Sequence, residues 1–263
     1  MIDVVMFSGG AASYCAAKRV PGAILLFADT LMEDEDLYRF LDDAELRLNN
    51  KIVRLSDGRT PWELFHEQGM MGNTRADLCS RILKRELLDN WIADNCDDDV
   101  TVHFGFDASE AHRLEGVRRA KPYRCEAPLT WEPSIMFKQQ QFDVLAADDI
   151  ELPRLYRMGF MHNNCGGFCI KAGQAHFARL LDKMPERYAA HEAEEQAFRE
   201  RTGKDVAILR DRIGGPTKPM TLRAFRQRVQ SAGLFDQDDE GGCNCFAPPD
   251  VENSDLQTNE EMK

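Results

Sequence analysis

Hydrophobic and polar positions along the first half of the chain switch repeatedly between two periods. Ile2 to Phe7 is a short apolar run, read as a buried strand. Gly10 to Arg19 follows as a helix, stopped by Val20-Pro21-Gly22. Ala23 to Ala28 is a second buried strand. From Asp34 to Asn49, Leu37, Phe40, Leu41, Ala44 and Leu48 recur near the 3.6-residue period and predict a helix. Lys51 to Leu55 is a third strand. Thr60 then caps a short helix with Pro61 at its first position. Ser80 to Asn95 reads as helix, Val100 to Phe106 as a fourth strand, and Ser109 to Ala120 as helix.

Strands alternating with helices predict an α/β fold: a parallel sheet with helices on both faces. In such sheets ligands bind beyond the carboxyl ends of the strands. The conspicuous polar motifs fall there. Ser8-Gly9-Gly10 follows the first strand, Asp29-Thr30 the second, and Asp107 to Arg113 the fourth. Past residue 125 the alternation fades. Gln141 to Ala147, Gly173 to Leu181, the polar stretch Met184 to Gly203, and Thr221 to Ser231 with Thr221 as cap all read as helices. This predicts a nucleotide-binding type core over 1–130, a helical, cysteine-containing region over 131–246, and a disordered acidic tail over 247–263.

Composition narrows the picture slightly. The 263 residues are 43% hydrophobic and 30% charged, ordinary for a globular protein. The N-terminus has no basic segment followed by a long apolar one, and no apolar run reaches the ~20 residues of a membrane span. A cytoplasmic protein with no membrane partner is expected. The net charge of −12 argues against non-specific wrapping on nucleic acid. Two stretches are nevertheless basic, His112 to Arg124 and Leu209 to Arg228. They are either solvated faces or a phosphate or polynucleotide channel. The sequence also leaves room for a homodimer.

A strand, a glycine turn and a helix N-terminus together make an anion site. Backbone N–H groups are unpaired there and the helix dipole favours negative charge. Gly9 and Gly10 allow close approach, and Ser8 and Ser13 add hydroxyls. The spacing fits neither Gly-x-x-x-x-Gly-Lys-Ser/Thr nor Gly-x-Gly-x-x-Gly. On these residues alone, a structural turn and a phosphate site are equally good readings.

Ser8-Gly9-Gly10-Ala11-Ala12-Ser13 resembles the SGGxxS pyrophosphate loop of the N-type ATP pyrophosphatases. Phe27 to Leu41, Leu78 to Leu88 with its Cys-x-x-x-x-Lys, and Gly105 to Arg118 resemble the motifs of one branch, the phosphoadenosine phosphosulfate (PAPS) reductase-like family, of a phage or mobile-element type. The resemblance covers roughly residues 2 to 130, in order. It implies the adenine nucleotide alpha-hydrolase-like fold, with ATP or PAPS and Mg²⁺ across the strand ends. Ser8, Gly9, Gly10 and Ser13 would hold phosphate. Phe27, Ala28 and Asp29 would line the nucleoside. Asp29 and Asp107 would be candidates for Mg²⁺. The chain departs from the family in three places. Ala11-Ala12 replaces a common Lys-Asp, so Arg81, Lys84 and Arg113 would supply the countercharge. The second-strand motif lacks its usual Gly and Pro. No Glu-Cys-Gly-x-His nucleophile motif is present.

Four of the eight cysteines cluster, Cys165 and Cys169 beside glycines and Cys243 and Cys245 beside glycines. They fit a shared Zn²⁺ or Fe–S cluster, a redox or persulfide-carrying pair, or unrelated thiols. His162 is a further ligand, a proton donor, or a packed structural histidine. Cys79 and Cys125 lie beside basic residues that would lower a thiol pKa. Cys15 and Cys96 read as structural. The expected activity is adenylation of an unidentified acceptor with release of pyrophosphate, catalysed through Ser8, Ser13, Lys84 and Arg113 and supporting sulfur transfer. Thiol-dependent reduction of PAPS or a related sulfonucleotide is the first alternative. The second is a non-catalytic nucleotide sensor that docks a partner through the acidic helix Pro185 to Arg201.

Overall fold

A computed structural model describes residues 2–72, 76–97, 99–212 and 216–241. Cys243, Cys245 and the predicted tail lie outside the described residues. β1 (Ile2–Met6), α1 (Ala11–Arg19), β2 (Ile24–Asp29), α2 (Glu35–Leu48), β3 (Ile52–Ser56) and α3 (Pro61–Gln68) follow the predicted order. Asp34 accepts from the Asp36 N–H at the start of α2, and Thr60 and Glu63 form a reciprocal capping box on α3. The predicted helix from Ser80 is one run with an irregular middle: α4 (Leu78–Ser80), a π-helical segment Arg81–Glu86, and α5 (Leu87–Asn95). β4 (Val100–Phe104) and α6 (Arg113–Ala120) complete the predicted set.

The strands form one five-stranded parallel sheet in the order β3-β2-β1-β4-β5. The fold is therefore α/β with a parallel sheet and a helical C-terminal part. β5 (Arg124–Glu126) was not predicted: three residues, two of them charged, carry no hydrophobic signal. They suffice to extend the sheet because Cys125 alone faces inward, while charges stay on the edge.

Alternate residues of each strand feed opposite faces. Val5, Phe7, Leu25 and Phe27 enter one core, with Tyr14 of α1 and Phe40 and Leu41 of α2. Val4, Met6, Leu26, Val102 and Phe104 enter the other, with Leu88 and Ile92 of α5. Each fully buried Phe or Leu stabilises the fold by about 1.5–3 kcal/mol.

Core packing crosses residue 130. Leu129, with Leu145 of α7 (Lys138–Ala147) and Ile150, closes the first core against α1. After the short α8 (Arg154–Arg157) come α9 (Gln174–Lys183), α10 (Pro185–Thr202) and α11 (Leu222–Ala232). These bury Phe177, Tyr188, Phe198 and Phe225 in a third core shared with Trp62, Phe65 and Leu83. A small antiparallel hairpin, β6 (Leu209–Asp211) and β7 (Lys218–Met220), precedes α11.

α10 turns part of its polar surface inward, where His191, Glu192 and Glu195 are buried with partners, while Glu186, Glu194 and Glu200 stay exposed. Glu195 is buried and accepts from the Ile208 N–H at 2.8 Å and the Leu222 N–H at 2.6 Å. Glu192 binds Arg226. His191 accepts from Trp62 Nε1 at 3.0 Å and stacks on Phe168.

Candidate functional site

The strand order reverses between β1 and β4, so the chain leaves those two strands in opposite directions and opens a crevice at their carboxyl ends. A cavity of about 510 Å³ occupies that place, within the ~300–1,000 Å³ typical of small-molecule sites. Met6, Ser8, Gly10 and Ala12 form one wall, and Gly105, Phe106, Asp107 and Arg113 another. Phe137, Lys138, Gln141, Tyr156, Met161 and His162, all from the C-terminal half, close it.

The turn after β1 has the conformation the glycines allow. Gly9 has φ +75°, the left-handed region, and a Cβ there would sit 3.0 Å from the Leu37 side chain. Asn163 Nδ2 donates to the Gly9 carbonyl at 2.8 Å and fixes the turn from behind. Gly10 caps α1, whose N-terminus opens on the cavity. Gly105 explains how β4 and α1 come together. A Cβ at this position would lie 2.8 Å from the Ser13 amide nitrogen and 2.9 Å from the Ala12 carbonyl carbon.

Ser13 differs from its expected role. It is buried, and its hydroxyl donates to the Gly10 carbonyl at 2.8 Å while accepting from the Gly10 N–H. It shapes the turn and does not line the cavity.

Arg113 is the predicted cation that reaches the cavity. Its guanidinium lies 4.4 Å from the centre of the Phe106 ring and pairs with Glu110, while its buried Nε has no partner among the described residues. Lys138, which the sequence did not single out, brings a second cation to the same cavity and bonds the Met161 carbonyl.

The other two predicted cations lie elsewhere. Arg81 is half-exposed and pairs with Glu86 at 2.8 Å. Lys84 is buried in the π-helical segment, 3.4 Å from Glu33 Oε1 and 3.7 Å from Cys165 Sγ. Glu33 also accepts from Thr30 at 3.0 Å and from the Cys165 N–H. Lys84 therefore offsets a buried carboxylate rather than a ligand in the cavity.

The β2 end is covered. Phe27 and Ala28 are buried in the cores of opposite sheet faces, and Asp29 is bonded by the Leu31 N–H at 2.8 Å and by Tyr38 Oη at 3.0 Å. None of the three lines the cavity. The segment from Asn163 to Gly167 packs over this region. A Cβ on Gly166 would meet the Met32 carbonyl oxygen at 2.8 Å.

Among carboxylates, Asp107 is the better placed for Mg²⁺. It lines the cavity and accepts from Ser109 N–H and Oγ at Oδ1 and from Gln141 Nε2 at Oδ2, 3.0 Å away. An ionised carboxylate oxygen accepts twice, which leaves acceptor capacity at Oδ2. That fits the one or two carboxylates Mg²⁺ uses beside phosphates.

The described cysteines do not converge. Cys165, itself at φ +49°, turns its sulfur toward Lys84. Cys169 lines a second cavity of about 160 Å³ with His162, His176 and Glu240. Among the described residues no three His, Cys, Asp or Glu side chains are placed to hold one metal ion. The two remaining members of the proposed set, Cys243 and Cys245, lie outside the described residues.

Cys125 reverses its expectation. It is buried behind β4, and burial pushes its thiol up to about 11, outweighing Lys121 and Arg118. Burial likewise raises the Cys15 thiol to about 12 and raises that of Cys96.

His162 lines both cavities. Burial, and then the charges of Lys138 and Arg113, lower its pKa to about 4, so the ring is neutral near pH 7. The sequence offered no signal for this, because the neighbours of His162 in space come from three distant segments. The chain matches no protein-family model and no curated protein sequence.

Proposed function

We propose that this protein is an enzyme of the ATP pyrophosphatase type. It would bind a nucleoside triphosphate with Mg²⁺ and transfer the adenylyl group to an acceptor, releasing pyrophosphate. The observation that carries this reading is the cavity between β1 and β4, onto which the N-terminus of α1 opens opposite Arg113 and Lys138. Backbone N–H groups and a helix dipole on one side, with two cations on the other, suit a polyphosphate. Ser8 and Gly10 would take phosphate oxygens. Arg113, its Nε unpaired, would take another.

The resemblance of Ser8 to Ser13 to a pyrophosphate loop supports the same reading. It now rests on Ser8, Gly9, Gly10 and Arg113, because Ser13, Arg81, Lys84, Phe27, Ala28 and Asp29 lie off the cavity. Mg²⁺ held at Asp107 would neutralise phosphate charge. The chain's own residues orient the triphosphate and exclude water: Phe106, Phe137 and Tyr156 provide apolar walls.

The test is release of pyrophosphate and AMP from Mg·ATP, with water as acceptor. The wild type is expected to turn over, and Ser8→Ala to lose roughly 10²–10³-fold in rate, as when one preorganised donor is removed. A wild type that binds ATP without ever cleaving it would favour the sensor reading instead.

A further inference from the structure

Two cavities share a wall. Met161, His162 and Asn164 line both the strand-end cavity and the second cavity of about 160 Å³. His162 is the ionisable side chain common to the two. Among the described residues its ring makes no hydrogen bond, whereas His176 and Glu240, which line the second cavity with it and the Cys169 thiol, are engaged. His176 bonds the Gly167 carbonyl at 2.7 Å, and Glu240 forms a two-pronged pair with Arg179 at 3.0 and 2.7 Å.

The second cavity therefore carries little net charge. Its one carboxylate is neutralised by Arg179, and burial lowers the pKa of His176 and favours its neutral form. Such a space admits a small uncharged molecule more readily than an ion.

Resting on the function proposed above, we propose that His162 is the proton acceptor of the adenylyl transfer, and that the acceptor is a small uncharged X–H nucleophile, X being oxygen or nitrogen, delivered from the second cavity. In the step, X attacks the α-phosphorus and the X–P bond forms. The P–O bond to pyrophosphate breaks, and pyrophosphate leaves with the electron pair. The proton passes from X to a His162 ring nitrogen and then to solvent.

The groups facing His162 agree with this role. Lys138 and Arg113 on the triphosphate side and His176 on the other disfavour its protonated form, while Asp107 favours it and Glu240 stands nearby. Incoming triphosphate would offset the two cations and make the imidazole a stronger base when substrate is bound.

The experiment uses the full chain with Mg·ATP, water or added hydroxylamine as the nucleophile, and two variants, His162→Gln and His162→Ala. ATP affinity is measured separately by calorimetry. The expected result is a loss of 10²-fold or more in pyrophosphate release for both variants, with ATP affinity held within threefold, and recovery of His162→Ala by added imidazole. The wild-type rate should also fall in acid with a midpoint near pH 4 or above, and that limb should be missing from the residual rate of His162→Gln. Wild-type turnover that persists in His162→Gln with the same pH profile would overturn this assignment alone. So would a matching loss of ATP affinity, which would make His162 a binding residue. Wild-type protein that binds no ATP would overturn the proposed function itself, and this inference with it.

Discussion

At the scale of single residues, the site depends on atoms that are absent as much as on those present. Gly105 has no side chain to conflict with α1, and its would-be Cβ meets backbone, which cannot swing aside as a side chain can. Gly105→Ala should therefore push β4 and α1 apart. Overpacking of this kind costs ~1–3 kcal/mol, and a chain of this size loses about 2–4 °C of melting temperature per kcal/mol. ATP affinity should fall at the same time, because the two displaced segments form facing walls of the cavity. Calorimetric melting and titration of Gly105→Ala check both. The motif around Gly105 was legible in the sequence, but its steric reason was not, since Ser13 lies 92 positions away only along the chain and touches it in space. Residue identity also misled. Ser13 and Lys84 are polar residues in the expected motifs, yet one is bonded to the Gly10 carbonyl and the other to a buried glutamate.

At the scale of elements, hydrophobic period located β1 to β4 and the helices between them, because each buries a stripe or a face large enough to leave a pattern. β5 left none: a three-residue edge strand needs one inward side chain. α10 left a misleading one. It reads as a strongly polar helix, but Glu195 works as an internal cap, its carboxylate holding the first N–H of α11 and the chain just before β6. Burial raises the pKa of Glu195, and the two N–H bonds pull against that rise. Glu195→Ala would strand two backbone donors. The cost expected is about 2–6 kcal/mol, at ~1–3 kcal/mol for each buried unsatisfied group. A fall in melting temperature with unchanged ATP affinity is the expected outcome, because Glu195 lies outside the cavity.

At the scale of the whole molecule, the C-terminal half completes the strand-end crevice. It covers the β2 end, closes the first core and supplies Lys138 and His162. No hydrophobic pattern announces such an arrangement, since it rests on contacts between distant segments such as Asn163 with Gly9 and Arg187 with Asp34. One consequence concerns acid. His162, His176 and His191 have lowered pKa values, about 4 and about 3 for the first and last, chiefly through burial. In the unfolded chain these rings take up protons below about pH 6.5, whereas the folded chain binds them only at lower pH. Stability is then greatest above pH 6.5 and falls as pH drops toward 4. Melting temperature followed from pH 7.5 to 4.5 should decline, and His191→Phe should show a shallower decline. A flat profile would mean that these histidines are not buried neutral.

The central claim is that a triphosphate sits between the Ser8–Gly10 turn and Arg113. Calorimetric titration of the non-cleavable analogue α,β-methylene-ATP with Mg²⁺, into the wild type and into Arg113→Gln, tests it most directly. The account predicts saturable binding to one site, weakened at least ~10-fold in the variant, about 1.4 kcal/mol. Absence of saturable binding to the wild type, or equal affinity in the two proteins, would contradict it.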